Sequence, residues 1–341
     1  MEKPLSTSVA RISFMGRELS VATDAESFDP VSEAIRKGDM PVEHQLFSLF
    51  PEQNGTFIDI GANIGAFCIS FASRGWKGFS FEASSRNATL LKESVQLNNF
   101  DVHVSEIAIY SKTGKIYFVQ NGPFGFIPND VFKGMKYDKI DCTSLDDWMQ
   151  SEKNIEKVDL MKIDIEGSEV YALRGMKQFL SKFEYPPIFM EVNAFALSLQ
   201  KETSLSLLSL ANNIGYNAYE IIDDKLHPVA ADRLPLTPYT DYFLIHGEVP
   251  PRWHDKVAPE RVLSDEDVIS SIIQQLSDPS KWEHHTPYLC YALKDFPKYY
   301  EHPHVKSILS DLATGKYKDS LPSEHIEEFL KKTLSWYMKR M

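Results

Sequence analysis

Thr56-Phe-Ile-Asp-Ile-Gly-Ala-Asn-Ile-Gly-Ala-Phe67 is the stretch that decides the fold. Thr56–Ile60 is an apolar run of strand length with an acid, Asp59, inside it. A turn through Gly61, Asn63 and Gly65 follows, and residues 67–73 read as a helix. Working outward, residues 78–81 form a second short strand, 85–97 a helix and 102–105 a third strand. Residues 158–165 and 188–192 are further apolar runs, the first leading into an amphipathic helix over 168–180. Strands alternating with helices predict an α/β, Rossmann-like parallel sheet covered on both faces.

The flanks are less regular. Residues 9–21 read as a hairpin turning at Met15-Gly16, and 29–37 and 42–49 as helices. Two β-prone pieces, 115–120 and 139–143, surround a loop at 121–129 that carries Phe124 and Phe126. Its glycines predict mobility and its rings a cover for the acceptor pocket. A helix is expected over 197–212. The link between the β-prone runs 218–222 and 241–246 is too short and Pro-rich for a helical crossover, so the last strand should run reversed in a mixed sheet. Val249-Pro250-Pro251 marks a break into a helical segment, with Ser264 and Ser323 as helix caps. The expected division is a preamble (1–55), a catalytic domain (56–248) and a C-terminal helical module (249–341) that borders the acceptor site or forms a homodimer contact.

Composition narrows the function. A chain of 341 residues suggests about two domains. Net charge of −12 disfavours nucleic acid and anionic membranes as partners. No apolar run approaches the ~20 residues of a membrane span, and the N-terminus lacks a continuous apolar signal core. Three distant cysteines give neither a disulfide framework nor a zinc spacing, which fits a reducing cytoplasm. His284-His285 and His302-x-His304 read as surface histidines, so no metal is expected.

The Gly-rich turn and helix N-terminus predict backbone N–H groups open to a ligand. Glu82 ends the second strand about 20 residues beyond Gly61, where an acid accepts hydrogen bonds from ribose hydroxyls. The turn lacks the third glycine of a dinucleotide fingerprint and is preceded by Asp59. A phosphate-free cofactor carrying an ammonium suits that acid, and S-adenosylmethionine meets the description.

Four motifs, Phe57-Ile-Asp-Ile-Gly-Ala-Asn-Ile-Gly65, Phe79-Ser-Phe-Glu-Ala83, Ser144-Leu-Asp-Asp-Trp148 and Leu160-Met-Lys-Ile-Asp-Ile-Glu-Gly-Ser-Glu169, resemble the FkbM-type S-adenosylmethionine-dependent methyltransferases in sequence and order. The similarity covers about residues 56–246. It implies a class I methyltransferase fold, a mixed sheet with a reversed last strand, and O-methylation of sugars, glycans or polyketide-like products. Carried over, Asp59, Gly61, Asn63 and Gly65 surround the methionine end of the cofactor. Glu82 holds the ribose, Ala83 and Asn87 flank the adenosine, and Glu106, Ile107 and Ala108 lie at the adenine.

Asp164 and Glu166 stand two apart and project to one side if the strand stays extended. Asp164 is the favoured base or orienter of the acceptor, Glu191 the second candidate and Glu166 the third. Glu166 and Glu169 also suit a first helical turn. Asn193 points with Glu191, and Asp146 and Asp147 read as a cap for the short helix that follows. Two other readings stay open: a NAD(P)-dependent oxidoreductase on a Rossmann fold, and a non-catalytic S-adenosylmethionine-binding scaffold.

Overall fold

Buried apolar strands form the centre of the molecule, and their order fixes where a ligand can sit. The computed structural model describes residues 5–25, 29–42, 44–120, 125–127, 137–152, 155–230, 233–234, 236–278, 280, 286–316, 330–331 and 333–339. In chain order its strands are β1 (Thr7–Phe14), β2 (Arg17–Asp24), β3 (Thr56–Ile60), β4 (Lys77–Glu82), β5 (Val102–Glu106), β6 (Ala108–Ile109), β7 (Gly114–Phe118), β8 (Asp138–Thr143), β9 (Leu160–Ile163), β10 (Ile188–Asn193), β11 (Tyr216–Ile222), β12 (Lys225–Val229) and β13 (Tyr239–His246).

The main sheet has the order β12-β11-β13-β10-β9-β3-β4-β5. β3 pairs in parallel with β4 on one side and β9 on the other. The chain winds outward from β3 through β4 to β5, then resumes beyond β3 with β9 and β10. That reversal makes β3 the switch point, where a crevice opens at the carboxyl ends of the strands. β13 runs antiparallel to both β10 and β11. The fold is therefore α/β with the reversed last strand of a class I methyltransferase.

β12 adds a strand that the sequence pattern does not announce. Among the strands of the sheet it pairs with β11 and so forms the edge, where Pro228 and its missing N–H are tolerated, and a single parallel bridge joins its Leu226 to Val257. The β-prone pieces around the 121–129 loop also form a sheet of their own, ordered β6-β8-β7.

Helices Leu145–Ser151, Glu169–Arg174, Lys177–Lys182 and Ser204–Ile214 bury one face of the main sheet around Ile58, Phe79, Met161 and Met190. Gln45–Leu49, Ala66–Ala72 and the 3-10 segment Pro251–Lys256 bury the other around Phe57, Phe189 and Phe243.

Two helices expected to be continuous are broken. The expected 168–180 helix stops at Gly175, where a Cβ would meet the Tyr110 carbonyl oxygen at 2.3 Å. It restarts at Lys177, capped from outside by Asp146 Oδ1, which accepts the Phe179 N–H at 2.8 Å. Asp146 thus does not cap its own helix. Ser144 does, accepting from the Asp147 N–H at 3.0 Å. The expected 197–212 helix is Ala194–Leu199 and Ser204–Ile214, parted at Lys201 (φ 63°) and restarted by a Thr203/Ser206 capping box.

The preamble is tied to the main sheet through polar groups on the helix Ser85–Asn98. The N–H of Ala22 donates to Ser94 Oγ and that of Ser20 to Asn98 Oδ1, so side chains occupy the outer edge of β2. Buried Asp24 pairs with Arg86 of the same helix.

At the other end, Trp253 wedges beside Phe50 and Phe243, with ring centroids 5.4 and 5.3 Å away, and donates its indole N–H to the Leu49 carbonyl at 2.9 Å. Beyond it, helices Asp265–Ser277, Thr286–Ala292, Pro303–Ala313 and Ser335–Met338 bury Ile272, Leu289, Leu309 and Leu334 in a separate cluster. That cluster also takes in Ala194 and Phe195, which directly follow β10. Ser264 caps the first of these helices, accepting from the Asp267 N–H, while Ser323, His284 and His285 lie outside the described residues. Among the described residues no helix is long and apolar enough to cross a membrane.

Trp253→Ala should cost about 3–5 kcal/mol, the usual range for deleting a buried indole. Urea unfolding followed by circular dichroism measures it. A loss below about 1 kcal/mol, well under that range, would mean that the 249–256 segment is not anchored through this ring.

Candidate active site

The β3 turn is closed by its own hydrogen bonds. Gly61 and Ala62 N–H groups both donate to the Phe81 carbonyl, at 2.9 and 3.0 Å. Asn63 N–H donates to Glu82 Oε2 at 2.7 Å, Ile64 N–H to Asn63 Oδ1 at 2.7 Å, and Gly65 N–H to the Ala62 carbonyl at 2.9 Å. The amides of residues 61–65, part of those expected to be open, are therefore engaged, and within this turn a pyrophosphate would meet a carboxylate instead of a row of donors.

The glycines serve packing. Gly61 sits at φ +84°, and a Cβ there would lie 1.8 Å from the Asp164 carbonyl oxygen. Gly65, at φ +98°, would press a Cβ to 2.4 Å from Leu91.

Glu82 ends β4 with its carboxylate bound from both sides. Oε2 accepts the Asn63 N–H and Oε1 the Ser84 N–H, each at 2.7 Å. An ionised carboxylate has about four acceptor positions, so capacity for ligand hydroxyls remains. Burial raises the affinity of Glu82 for a proton, to a pKa of about 7, against the lowering effect of those amides.

Across the crevice, β9 and β10 end in a cluster of acids. Lys162, buried in β9, places its ammonium 2.7 Å from Asp164 Oδ2. Glu166 does not continue the strand. It sits at φ 49°, so the chain has already turned, and alternation along an extended strand does not describe its direction. Asn193 fixes it instead, donating to Glu166 Oε2 at 2.9 Å while its Oδ1 caps the helix Ala194–Leu199 through the Ala196 N–H.

Glu169 is fully buried and accepts the N–H groups of Ile165 and Gly167 at 3.3 and 3.1 Å, which stabilises the turn. Burial pushes its pKa to about 8. Glu191 is also raised to about 8, first by burial and then by the charge of Asp164. Glu166 is raised by the same causes in the same order.

These elements enclose a cavity of about 270 Å³. All three candidate catalytic acids, Asp164, Glu166 and Glu191, line it. Of the expected cofactor residues, Gly61, Asn63, Glu82, Ala83, Ile107 and Ala108 line it, and four do not. Asp59 is buried in β3 beneath the turn, and Gly65 packs against Leu91. Asn87 is buried in the first turn of its helix, its N–H on Ser84 Oγ. Glu106 turns outward to Ser85 and Lys92.

Lys162 is a site residue that sequence reasoning missed. It is the single cationic side chain among the described lining residues, and a lysine inside an apolar strand two positions before an acid was the available signal. Val31 and Pro41 of the preamble, and Phe118 with Ile116 from β7, also reach the cavity. From the 121–129 loop, Gly125, Phe126 and Ile127 line it, with Phe126 bridged to Val119, while Phe124 lies outside the described residues.

The family model of the methyltransferase FkbM domain matches residues 59–218. The chain is also 27% identical over 176 residues to the 2-O-methyltransferase NoeI of Sinorhizobium fredii, covering 45% of this chain and 71% of that protein. Among solved structures it is similar to the precorrin-6y C5,15-methyltransferase of Geobacter metallireducens (10% identity, TM-score 0.34, 67% and 94% of the two chains covered). It is also similar to TYW2 of M. jannaschii, solved with AdoMet (14% identity, TM-score 0.34, 72% and 86% covered). The sheet order, rather than these low scores, defines the fold.

Every acid of the cavity falls inside the matched segment, whereas Val31, Pro41 and the helical C-terminal residues fall outside it.

Hydroxyl groups donate more strongly to an ionised carboxylate than to a protonated one, so a ligand that places its ribose on Glu82 binds more tightly once Glu82 is ionised. Affinity for S-adenosylhomocysteine should therefore rise with pH through about 7 and level off above it. Glu82→Gln should remove that rise and cost about 1.5–3 kcal/mol of binding, the range for a hydrogen bond to a charged group. Titration calorimetry on both sides of that pKa tests both, and a flat wild-type profile would remove Glu82 from the ribose site.

Proposed function

We propose that this methyltransferase uses S-adenosylmethionine to methylate a hydroxyl oxygen on a sugar, glycan or natural-product acceptor. The observation that carries this reading is the pairing in one cavity of a backbone-held acid, Glu82, with the acids ending β9 and β10, while the β3 turn offers no open amide to a phosphate. A ligand with a diol and positive charge suits those groups. Similarity to NoeI, a 2-O-methyltransferase, supports oxygen as the methylated atom.

When bound, S-adenosylmethionine supplies a methyl group whose bonding pair stays on sulfur as the group leaves. Glu82 accepts from the ribose hydroxyls, and Ile107 and Ala108 offer apolar contact to the base. Gly61 and Asn63 border the methionine end. Asp59 and Gly65 act through the shape of the turn rather than by contact.

A sugar-type hydroxyl holds its proton far above neutral pH, so the acceptor oxygen gains nucleophilicity only as that proton leaves. A positioned base contributes typically ~10²–10⁴-fold. Asp164 already commits one oxygen to Lys162, which suits it to orienting the acceptor. Glu191, with a proton affinity near working pH, is the better match for receiving the proton. This reverses the order of the two that the sequence favours. Glu166, held by Asn193, supports the electrostatics of the pair.

Glu191 must be ionised to accept a proton, and its pKa is about 8. kcat/KM should therefore increase as pH rises through about 8 and then level off. Glu191→Gln should abolish this limb and lower kcat by roughly 10²–10⁴-fold while leaving S-adenosylhomocysteine affinity unchanged. Transfer of labelled methyl to a responsive acceptor measures it. Turnover within a few-fold of wild type would exclude Glu191 as the base, and the same result with Asp164→Asn would exclude Asp164 as orienter.

A further inference from the structure

The antiparallel register of β10 and β13 sets Asn193 opposite Tyr239 and Glu191 opposite Asp241. Directly opposed residues share a face, and alternation brings all four onto the same one. The parallel register carries that face onto β9, where Lys162 stands beside Phe189. The sheet face that holds Lys162 and Glu191 thus ends, at the carboxyl edge of β10, in an aromatic ring.

Tyr239 is 58% exposed, unusual for a ring so near buried carboxylates. It stands directly opposite Asn193 in the register, and Glu166 and Glu191 act on its hydroxyl electrostatically. Asn193 is itself fixed by the Ala196 N–H and by Glu166. The ring thus stands beside groups that are themselves fixed, while much of its surface stays open. A tyrosine ring, with only two χ angles, loses little rotamer entropy when a ligand rests on it, which favours it as a platform.

The neighbouring charges say what can rest there. Glu166, Glu191 and Asp164 disfavour an anionic ligand. A neutral pyranose presents axial C–H bonds to an aromatic surface and equatorial hydroxyls to surrounding acceptors, so it satisfies both parts of the site. Tyr239 lies beyond the matched 59–218 segment, at the start of the reversed strand β13.

We propose that Tyr239 is the stacking platform of the acceptor subsite and selects a neutral saccharide ring, an inference that rests on the O-methyltransferase reading above.

The test uses the full chain, S-adenosylmethionine with a labelled methyl group, and a panel of methyl pyranosides beside the matching uronic acids and the acyclic polyol ribitol. Wild type should methylate at least one neutral pyranoside in preference to the uronic acids and ribitol. Tyr239→Ala should raise its KM roughly tenfold, with kcat within about twofold and S-adenosylhomocysteine affinity and melting temperature unchanged. Tyr239→Trp should keep a KM near that of wild type. Unchanged KM in Tyr239→Ala overturns the proposal, as does equal use of uronic acids. Loss of cofactor affinity or folding in both variants overturns it in favour of a structural role.

If wild type methylates nothing in the panel, the failure belongs to the O-methyltransferase reading. Saturation-transfer NMR of the same methyl pyranosides on the S-adenosylhomocysteine complex then decides the platform separately. A saturation signal that vanishes in Tyr239→Ala and persists in Tyr239→Trp supports it, and the absence of any signal with wild type overturns it.

Discussion

Gly61 and the carbonyl of Asp164 meet where β3 and β9 end. A Cβ at residue 61 would lie 1.8 Å from that oxygen, and the Asp164 N–H donates to the Ile60 carbonyl at 2.9 Å. This approach joins the two halves of the site. On one side the turn carries Asn63 to Glu82, and on the other the chain leaves β9 toward Glu166. Because the two strand ends are drawn together, Glu82 and Asp164 share one cavity instead of facing separate clefts. A side chain at 61 would have to push them apart, and the left-handed backbone there adds its own penalty for any residue with a Cβ.

The charge arrangement follows from that closure. Glu82, Asp164, Glu166 and Glu191 line the same small volume with Lys162 as the cation among them. Removing carboxylates from water raises their proton affinity, and each charge raises that of the next. Backbone amides moderate the effect at Glu82, and Asn193 does so at Glu166. The cavity therefore combines an ion-paired acid, Asp164, with acids inclined to hold protons, Glu191 and Glu166. Glu166 keeps a positive φ because Asn193 grips its side chain and Glu169 grips the amides around it. Backbone strain of this kind persists where surrounding interactions over-determine it.

Much of the scaffold is readable because period and burial agree. Thr56–Ile60 is apolar on both faces, as a central parallel strand must be, and the short link before β13 forces the reversed strand. The Met15-Gly16 hairpin is readable because two β-prone runs flank a glycine, which supplies one of the two positive φ angles of the turn. The broken helices are not. Gly175 weakens the helix locally, but the break also depends on the Tyr110 carbonyl and on Asp146, about thirty residues or more away in sequence. Asp59 and Gly65 resemble ligand contacts because sequence shows which residues lie near a turn, but not which way each one faces.

By itself the sequence determined the class of fold, the strand ends that carry acids, and the kind of cofactor those acids suit. These follow from local rules: buried strands must be apolar, glycine permits positive φ, and acids inside apolar runs are retained for a reason beyond packing. The tertiary structure alone decided that the turn amides are engaged, that Lys162 pairs with Asp164, and that Asn193 joins Glu166 to the helix after β10. It also decided that Tyr239 stands beside that asparagine. Apart from the Lys162–Asp164 pair, which is two residues apart, each of these includes a link between strands or turns distant in the chain. Its existence depends on register and on the direction a side chain faces, and no local pattern of residues encodes either.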